Sequence, residues 1–276
     1  MSDASTTGDT PPTAGDDPPE TADSGTAAPA VDPRVFGATA TLLALGGIAV
    51  AVALDPGFSW TGDALSDLGV RDRSAPAFNG GLILGGLVGI GYAVGLWRAS
   101  GRGGGRAAGR GRDAADRLRS DERVDRVRVG RVRAFTFGLA MVAMAGVGLF
   151  DLTRPLHGPA AVGFYALITV VFGIDGAARR RTTGGRIALA FVPIHVAVWA
   201  TFVAGWWPVT GLALPELPGA LMLAAWVWLV GPLPVVESGR DAAGDAGGDD
   251  SGGCDGEGVA GGGGDGDRPS PGTDEH

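Results

Sequence analysis

The chain has 276 residues, of which 45% are hydrophobic, only 19% are charged and 50 are glycine. All 22 basic residues are arginine, and 30 acids set the net charge at −8. One cysteine, Cys254, excludes a disulfide scaffold. The concentration of apolar residues between positions 35 and 236 excludes an ordinary soluble domain.

Residues 1–34 hold six prolines, seven acids and a single arginine. Such a segment cannot bury enough apolar surface to offset its ordering entropy, so a disordered acidic tail is expected. It has no basic stretch leading into an apolar core and does not read as a cleaved signal peptide. Six apolar stretches follow, at 35–54, 78–97, 134–150, 156–174, 187–207 and 217–236. Each has the roughly 17–25 residues that a membrane-crossing helix needs. Backbone groups in lipid must find partners within their own segment, and the alternation of a spanning barrel is missing. The expected fold is therefore all-α, a polytopic transmembrane bundle of six helices. Residues 237–276, with 14 glycines and eleven acids, are expected to form a second disordered, low-complexity tail.

The connections set the expected orientation. The segment 98–133 holds twelve arginines and 175–186 holds four, whereas the other three connections together hold Arg71, Arg73 and Arg154. Basic residues are retained on the cytoplasmic side, so a multi-pass protein of the cell membrane with both termini cytoplasmic is predicted. The stretch before the third helix reads as a basic juxtamembrane helix, serving as a topology anchor more than as a lipid sensor.

The first outer loop is the richest in polar groups. Asp63 and Asp67 are four residues apart and share a face of any helix formed there. Asp63 is placed to cap that helix, and Arg71 to pair with Asp67. Asn79 opens the second helix, where it can cap or join the loop carboxylates. Gly81, Gly85 and Gly89 follow at intervals of four and present a small-residue strip for helix–helix association. Asp151, His157 and Glu216 fall at the same membrane level as the loop. Asp63, Asp67, Asp151 and His157 are the candidate catalytic or metal-binding set, yet so few imidazoles and thiols make no metal site the expectation. His195, two residues after Pro193 inside the fifth span, is a candidate binding or proton-path residue, with helix–helix glue as the simpler role. Asp175 reads as a surface partner for Arg179 at i+4. The tryptophans, Trp226 among them, read as an interfacial belt.

The run Asp63-Ala64-Leu65-Ser66-Asp67-Leu68-Gly69, followed by Phe78-Asn79-Gly80-Gly81-Leu82-Ile83, resembles the DUF998 family of uncharacterised prokaryotic membrane proteins. The resemblance covers roughly residues 35–236 and agrees with six helices. It implies no activity and no catalytic residue. An acidic chain without lysine is also the composition expected in halophilic archaea.

No phosphate-binding glycine loop, dinucleotide fingerprint or metalloprotease or serine-hydrolase motif occurs, so no cofactor and no nucleic-acid partner is expected. The lipid bilayer is the one partner the composition calls for. Three functions fit this pattern. The preferred one is non-catalytic binding, sensing or a structural role in the membrane. The alternatives are a lipid-headgroup hydrolase built on the outer Asp/His groups and a small transporter using the kinked fifth helix.

Overall fold

The computed structural model describes residues 31–102 and 114–236. Of the expected disordered tails, 1–34 and 237–276, residues 1–30 and 237–276 lie outside the described residues, as does most of the Arg-Gly stretch between the second and third helices, whereas Pro33 and Arg34 are helical and open the first helix. The described residues form helices α1 (Pro33–Leu54), α2 (Ala75–Arg102), α3 (Ala114–Leu149), α4 (His157–Ala178), α5 (Thr183–Val203) and α6 (Ala213–Ala225). A short 3₁₀ helix, Leu65–Gly69, lies between α1 and α2, and α6 runs on into a π-helical turn, Trp226–Val230. Among the described residues six helices are long and apolar enough to cross a membrane. The protein is an integral membrane protein of the multi-pass kind.

Local sequence explains where the helices start and stop. Pro33 occupies the first turn of α1, where its missing N–H is not needed, and Asp32 Oδ1 accepts from the Arg34 N–H at 2.9 Å. Thr182 caps α5 by accepting from the Gly185 N–H at 3.0 Å. Gly205, at φ 72°, takes the left-handed conformation that closes α5. The third helix is longer than its apolar stretch. It continues through the arginine-rich residues to Ala114, and its membrane-competent part begins at Val124. The sixth begins at Ala213, four residues earlier than apolarity alone indicates, because Pro215 fits the donor-free first turn.

Helices adjacent in the chain are adjacent in space: α1 packs on α2, α2 on α3, α3 on α4 and α4 on α5. The sixth touches α4 and α5, and its π turn returns to α1. Phe137, Met141, Ile168, Phe172, Tyr92 and Trp226 form the buried centre. Leu42, Leu87, Phe135, Val162 and Val196 point outward, as suits side chains facing lipid.

The glycine strip works within this chain. A methyl group on Gly81 would stand 2.8 Å from Gly47 Cα and 2.7 Å from the Leu43 carbonyl oxygen of α1. One on Gly85 would stand 2.9 Å from the Ala40 carbonyl oxygen, and one on Gly89 would meet Met141 of α3. Backbone cannot swing aside as a side chain can. Gly81→Ala is therefore expected to destabilise the detergent-solubilised protein by about 1–3 kcal/mol, the usual range for overpacking. Gly80→Ala, on the same helix with nothing within 4 Å of the added carbon, is expected to be neutral or slightly stabilising. Equal melting temperatures for the two variants would contradict the close α1–α2 contact.

Candidate functional site

The loop between α1 and α2 is tied together by its own acids. Asp63 Oδ2 accepts from the Ser59 N–H at 2.8 Å and lies 3.0 Å from Arg71 Nη2. Arg71 Nη1 reaches Asp55 Oδ2 at 2.5 Å. The Ser59 hydrogen bond first, then Arg71, holds the Asp63 carboxyl below the usual carboxylate range, and the two aspartates raise Arg71. Arg71 thus pairs with Asp55 and Asp63, not with Asp67. Asp67 instead turns back to accept from the Ala64 N–H at 2.7 Å, the capping role expected of Asp63. Ser74 Oγ donates to the Leu68 carbonyl at 2.8 Å, and Asn79 Nδ2 to the Gly69 carbonyl at 2.9 Å. Asn79 therefore pins the loop to the head of α2 and does not join the carboxylates.

The loop also folds down onto the bundle. Leu65 and Leu68 are buried. The Asp63 carbonyl accepts from Ala213 N–H at 3.0 Å, and the Thr61 carbonyl from the N–H groups of Thr210 and Gly211. Below it sits Glu216, in the first turn of α6 and only 7% exposed. Its Oε2 accepts from the Leu65 N–H at 2.8 Å, while Tyr165 Oη donates to its backbone carbonyl at 3.2 Å. The sequence offers one sign of this residue: a lone acid set among Leu and Pro at the mouth of a spanning helix.

His157 opens α4 and is buried. Its Nδ1 lies 2.6 Å from the Phe150 carbonyl oxygen. A carbonyl can only accept, so Nδ1 carries a proton and Nε2 is left free of that bond. Asp151 accepts from the backbone N–H and hydroxyl of Thr153, and the hydroxyl contact above all keeps its carboxyl below the ordinary value. Asp63, Asp67, Asp151 and His157 thus each have a separate local partner. Among the described residues no three His, Cys, Asp or Glu side chains converge in a way that could hold a metal ion.

What does converge is a cavity. A long, narrow space of about 80 Å³ runs inside the bundle, walled mainly by Ala, Leu, Phe, Met and Val from α1, α2, α3, α4 and α6. On α1 it extends from Gly37 to Ile48, roughly 16 Å at ~1.5 Å per residue. Its polar lining lies mostly at the loop end: Ser66, His157, Tyr165 and Glu216. Among the described residues no hydrogen bond engages the Ser66 hydroxyl, His157 Nε2 or Glu216 Oε1.

The other buried polar groups are structural in their geometry. His195 Nδ1 lies 2.7 Å from Thr169 Oγ1, whose own hydrogen goes to the Tyr165 carbonyl at 2.8 Å. Trp199 Nε1 donates to His195 Nε2 at 3.1 Å. Both ring nitrogens are therefore in use, which joins α4 to α5, a helix that buries only Gly185, Ala188 and His195. Asp175 is a correction to the surface pair read from sequence, because it is fully buried. Arg133 Nη1 reaches its Oδ1 at 2.7 Å, Arg179 grips both its oxygens, and Trp226 Nε1 donates to Oδ2 at 2.8 Å. Trp226 likewise leaves the expected interfacial belt. It is buried, stacked on Phe137 with centroids 5.5 Å apart, and brought to Asp175 by the π turn. That turn also offers the Val230 carbonyl to Arg179 Nη2 at 2.7 Å.

Residues 38–111, which contain the loop and its anchor on α2, match the family model described as a protein of unknown function, DUF998. Over that segment the chain is similar to DUF998. The match takes in Asp63, Asp67, Asn79 and the glycine strip, while Asp151, His157, His195 and Glu216 lie beyond it. No curated protein and no solved structure matches the chain. The DUF998 segment therefore accounts for the α1–α2 hairpin and its folded loop, and the roles of the remaining polar residues rest on their geometry.

Proposed function

We propose that this DUF998 protein is a non-catalytic binding protein of the cell membrane, which takes the apolar chain of a lipid-like molecule into its bundle. The polar end of that molecule would sit under the loop 55–74, against Ser66, His157 and Glu216. The observation that carries this reading is the cavity: apolar over most of its length and polar at one end. An apolar cavity excludes water and gains by taking up hydrocarbon. Its length and narrowness suit one extended chain better than a compact ligand. The Glu216 carboxyl faces that end, so a head that exchanges hydrogen bonds with it, such as an alcohol or amine, is favoured over a carboxylate or phosphate. The arginine distribution supports an orientation in which this end faces outward and both termini are cytoplasmic.

Hydrolysis has less support, because the outer aspartates are committed to the Ser59 N–H, Arg71, the Ala64 N–H and Thr153. Transport through His195 also has less support, because both its nitrogens are occupied.

The test is native mass spectrometry with lipid extraction on the purified full chain. Ala161 and Ala220 line the cavity, and the double variant Ala161→Leu/Ala220→Leu fills it. A chain-bearing amphiphile should accompany the wild-type protein and fall about tenfold or more in the variant, without a lower melting temperature. Its absence from the wild type, or equal retention in both, would overturn the reading.

A further inference from the structure

A second apolar space lies on the outside of the bundle, at the arginine-rich end. It is an open groove of about 620 Å³ between α2 and α3, lined by Trp97, Val124, Arg128, Arg131, Val132 and Phe135. An adjoining groove of about 360 Å³ shares Trp97 and Phe135, includes Arg98, and continues along both helices to Val142. Together they make one trough. From Arg131 to Val142 it runs about 16 Å at ~1.5 Å per residue, close to half of a ~30 Å hydrocarbon core. That is the depth of one leaflet.

The mouth of this trough carries three guanidinium groups. Arg128 and Arg131 are three residues apart and share one face of α3, and Arg98 approaches from α2. Among the described residues no ion pair joins any of the three to a carboxylate. Nearby, Glu122 pairs with Arg126, and Asp175 is held by Arg133 and Arg179. Arg131 lies over the Trp97 ring at 5.4 Å, so its side chain is steered toward the groove. Below the arginines the walls are exposed and apolar, Phe135, Leu139 and Val142 on α3 and Val94 on α2. Three guanidinium groups above a hydrocarbon-lined furrow of one-leaflet depth match the shape and charge of a single kind of occupant.

We propose that the trough between α2 and α3 holds an anionic membrane phospholipid, its phosphate among Arg98, Arg128 and Arg131 and its chains along Phe135 to Val142. Guanidinium groups bind phosphate through paired N–H donors, and a basic recess between spanning helices is the setting in which anionic headgroups are held. This site is separate from the internal cavity, whose polar lining gathers at the loop end of the bundle.

The experiment is native mass spectrometry of the full chain with added phosphatidylglycerol or phosphatidylcholine of identical chains, at about 0.15 M salt. The wild-type protein should retain one phosphatidylglycerol with about tenfold or greater preference. Arg128→Gln/Arg131→Gln should reduce that preference severalfold, whereas Arg180→Gln/Arg181→Gln, which removes as much charge from the same end, should leave it unchanged. Val132→Trp, which keeps the arginines and fills the furrow, should weaken retention of the lipid. Competition by millimolar inorganic phosphate, equal retention of both lipids, or equal effects of the two double arginine variants would each overturn the proposal. So would a dimer that excludes lipid and is dissolved by Phe135→Glu.

Discussion

Replacing Asp175 by alanine is expected to give the largest loss of stability of any single substitution in the bundle. Asp175 is fully buried, and Arg133 beside it is 9% exposed. Removing the aspartate leaves the Arg133 charge without its counter-ion in a low-dielectric interior, a change that costs about 3–5 kcal/mol. The Trp226 N–H loses its acceptor at the same time. Arg179 suffers less, since it retains the Val230 carbonyl and its side chain is 23% exposed. Thermal unfolding in detergent should show a drop of several degrees or more. Arg133→Leu/Asp175→Leu should recover part of it, because removing both charges leaves neither stranded. An Asp175→Ala protein that melts with the wild type would sink this account of the cluster.

The second large effect is expected at Glu216, and it is local. Glu216→Ala leaves the Leu65 N–H buried without an acceptor, a loss of about 1–3 kcal/mol. That energy falls on the hinge between the loop and α6, so the loop should open before the bundle does. Hydrogen exchange over residues 59–70 should accelerate by an order of magnitude or more, while the spanning helices keep their protection. Glu216→Gln retains an oxygen for the Leu65 N–H and should change exchange little. If the alanine variant exchanges like the wild type, Glu216 does not hold the loop down. The loop is the roof of the cavity, so the same variant should also release any bound amphiphile.

The six-helix architecture could be read from apolar stretch length because lipid imposes one simple demand on a crossing segment. The α1–α2 motif and the importance of its loop were equally legible, since Asp, Gly, Pro and aromatic residues cluster there. What could not be read was partnership between distant segments. Asp175 looks like a surface acid because Arg179 follows at i+4, and nothing local shows that Arg133, 42 residues earlier, and Trp226, 51 later, close around it. Trp226 looks like a belt residue for the same reason. Its burial depends on a π turn that no composition rule marks. Glu216 sits just before an apolar run, so a boundary drawn by hydropathy alone leaves it outside the helix whose first turn it occupies. Arg71 has three aspartates within reach along the chain, and only the fold of the loop decides that Asp55 and Asp63 win over Asp67.

The neighbour-on-neighbour order of the helices bears on how the protein is made. Each helix through α5 finds its main packing partner in the one synthesised just before it, so docking can keep pace with emergence from the ribosome and few long loops must close late. Two steps cannot follow that order. Arg133 enters the membrane with α3 before Asp175 exists to neutralise it, and the ring of helices closes when the π turn reaches back to α1. A chain stopped short of α6 would therefore hold Asp175 and its two arginines without the Trp226 N–H and the Val230 carbonyl, and with no floor beneath the folded loop. Such a half-built protein leaves Asp175 and Arg179 each short of one hydrogen-bond partner, and completion of the last helix is what supplies both.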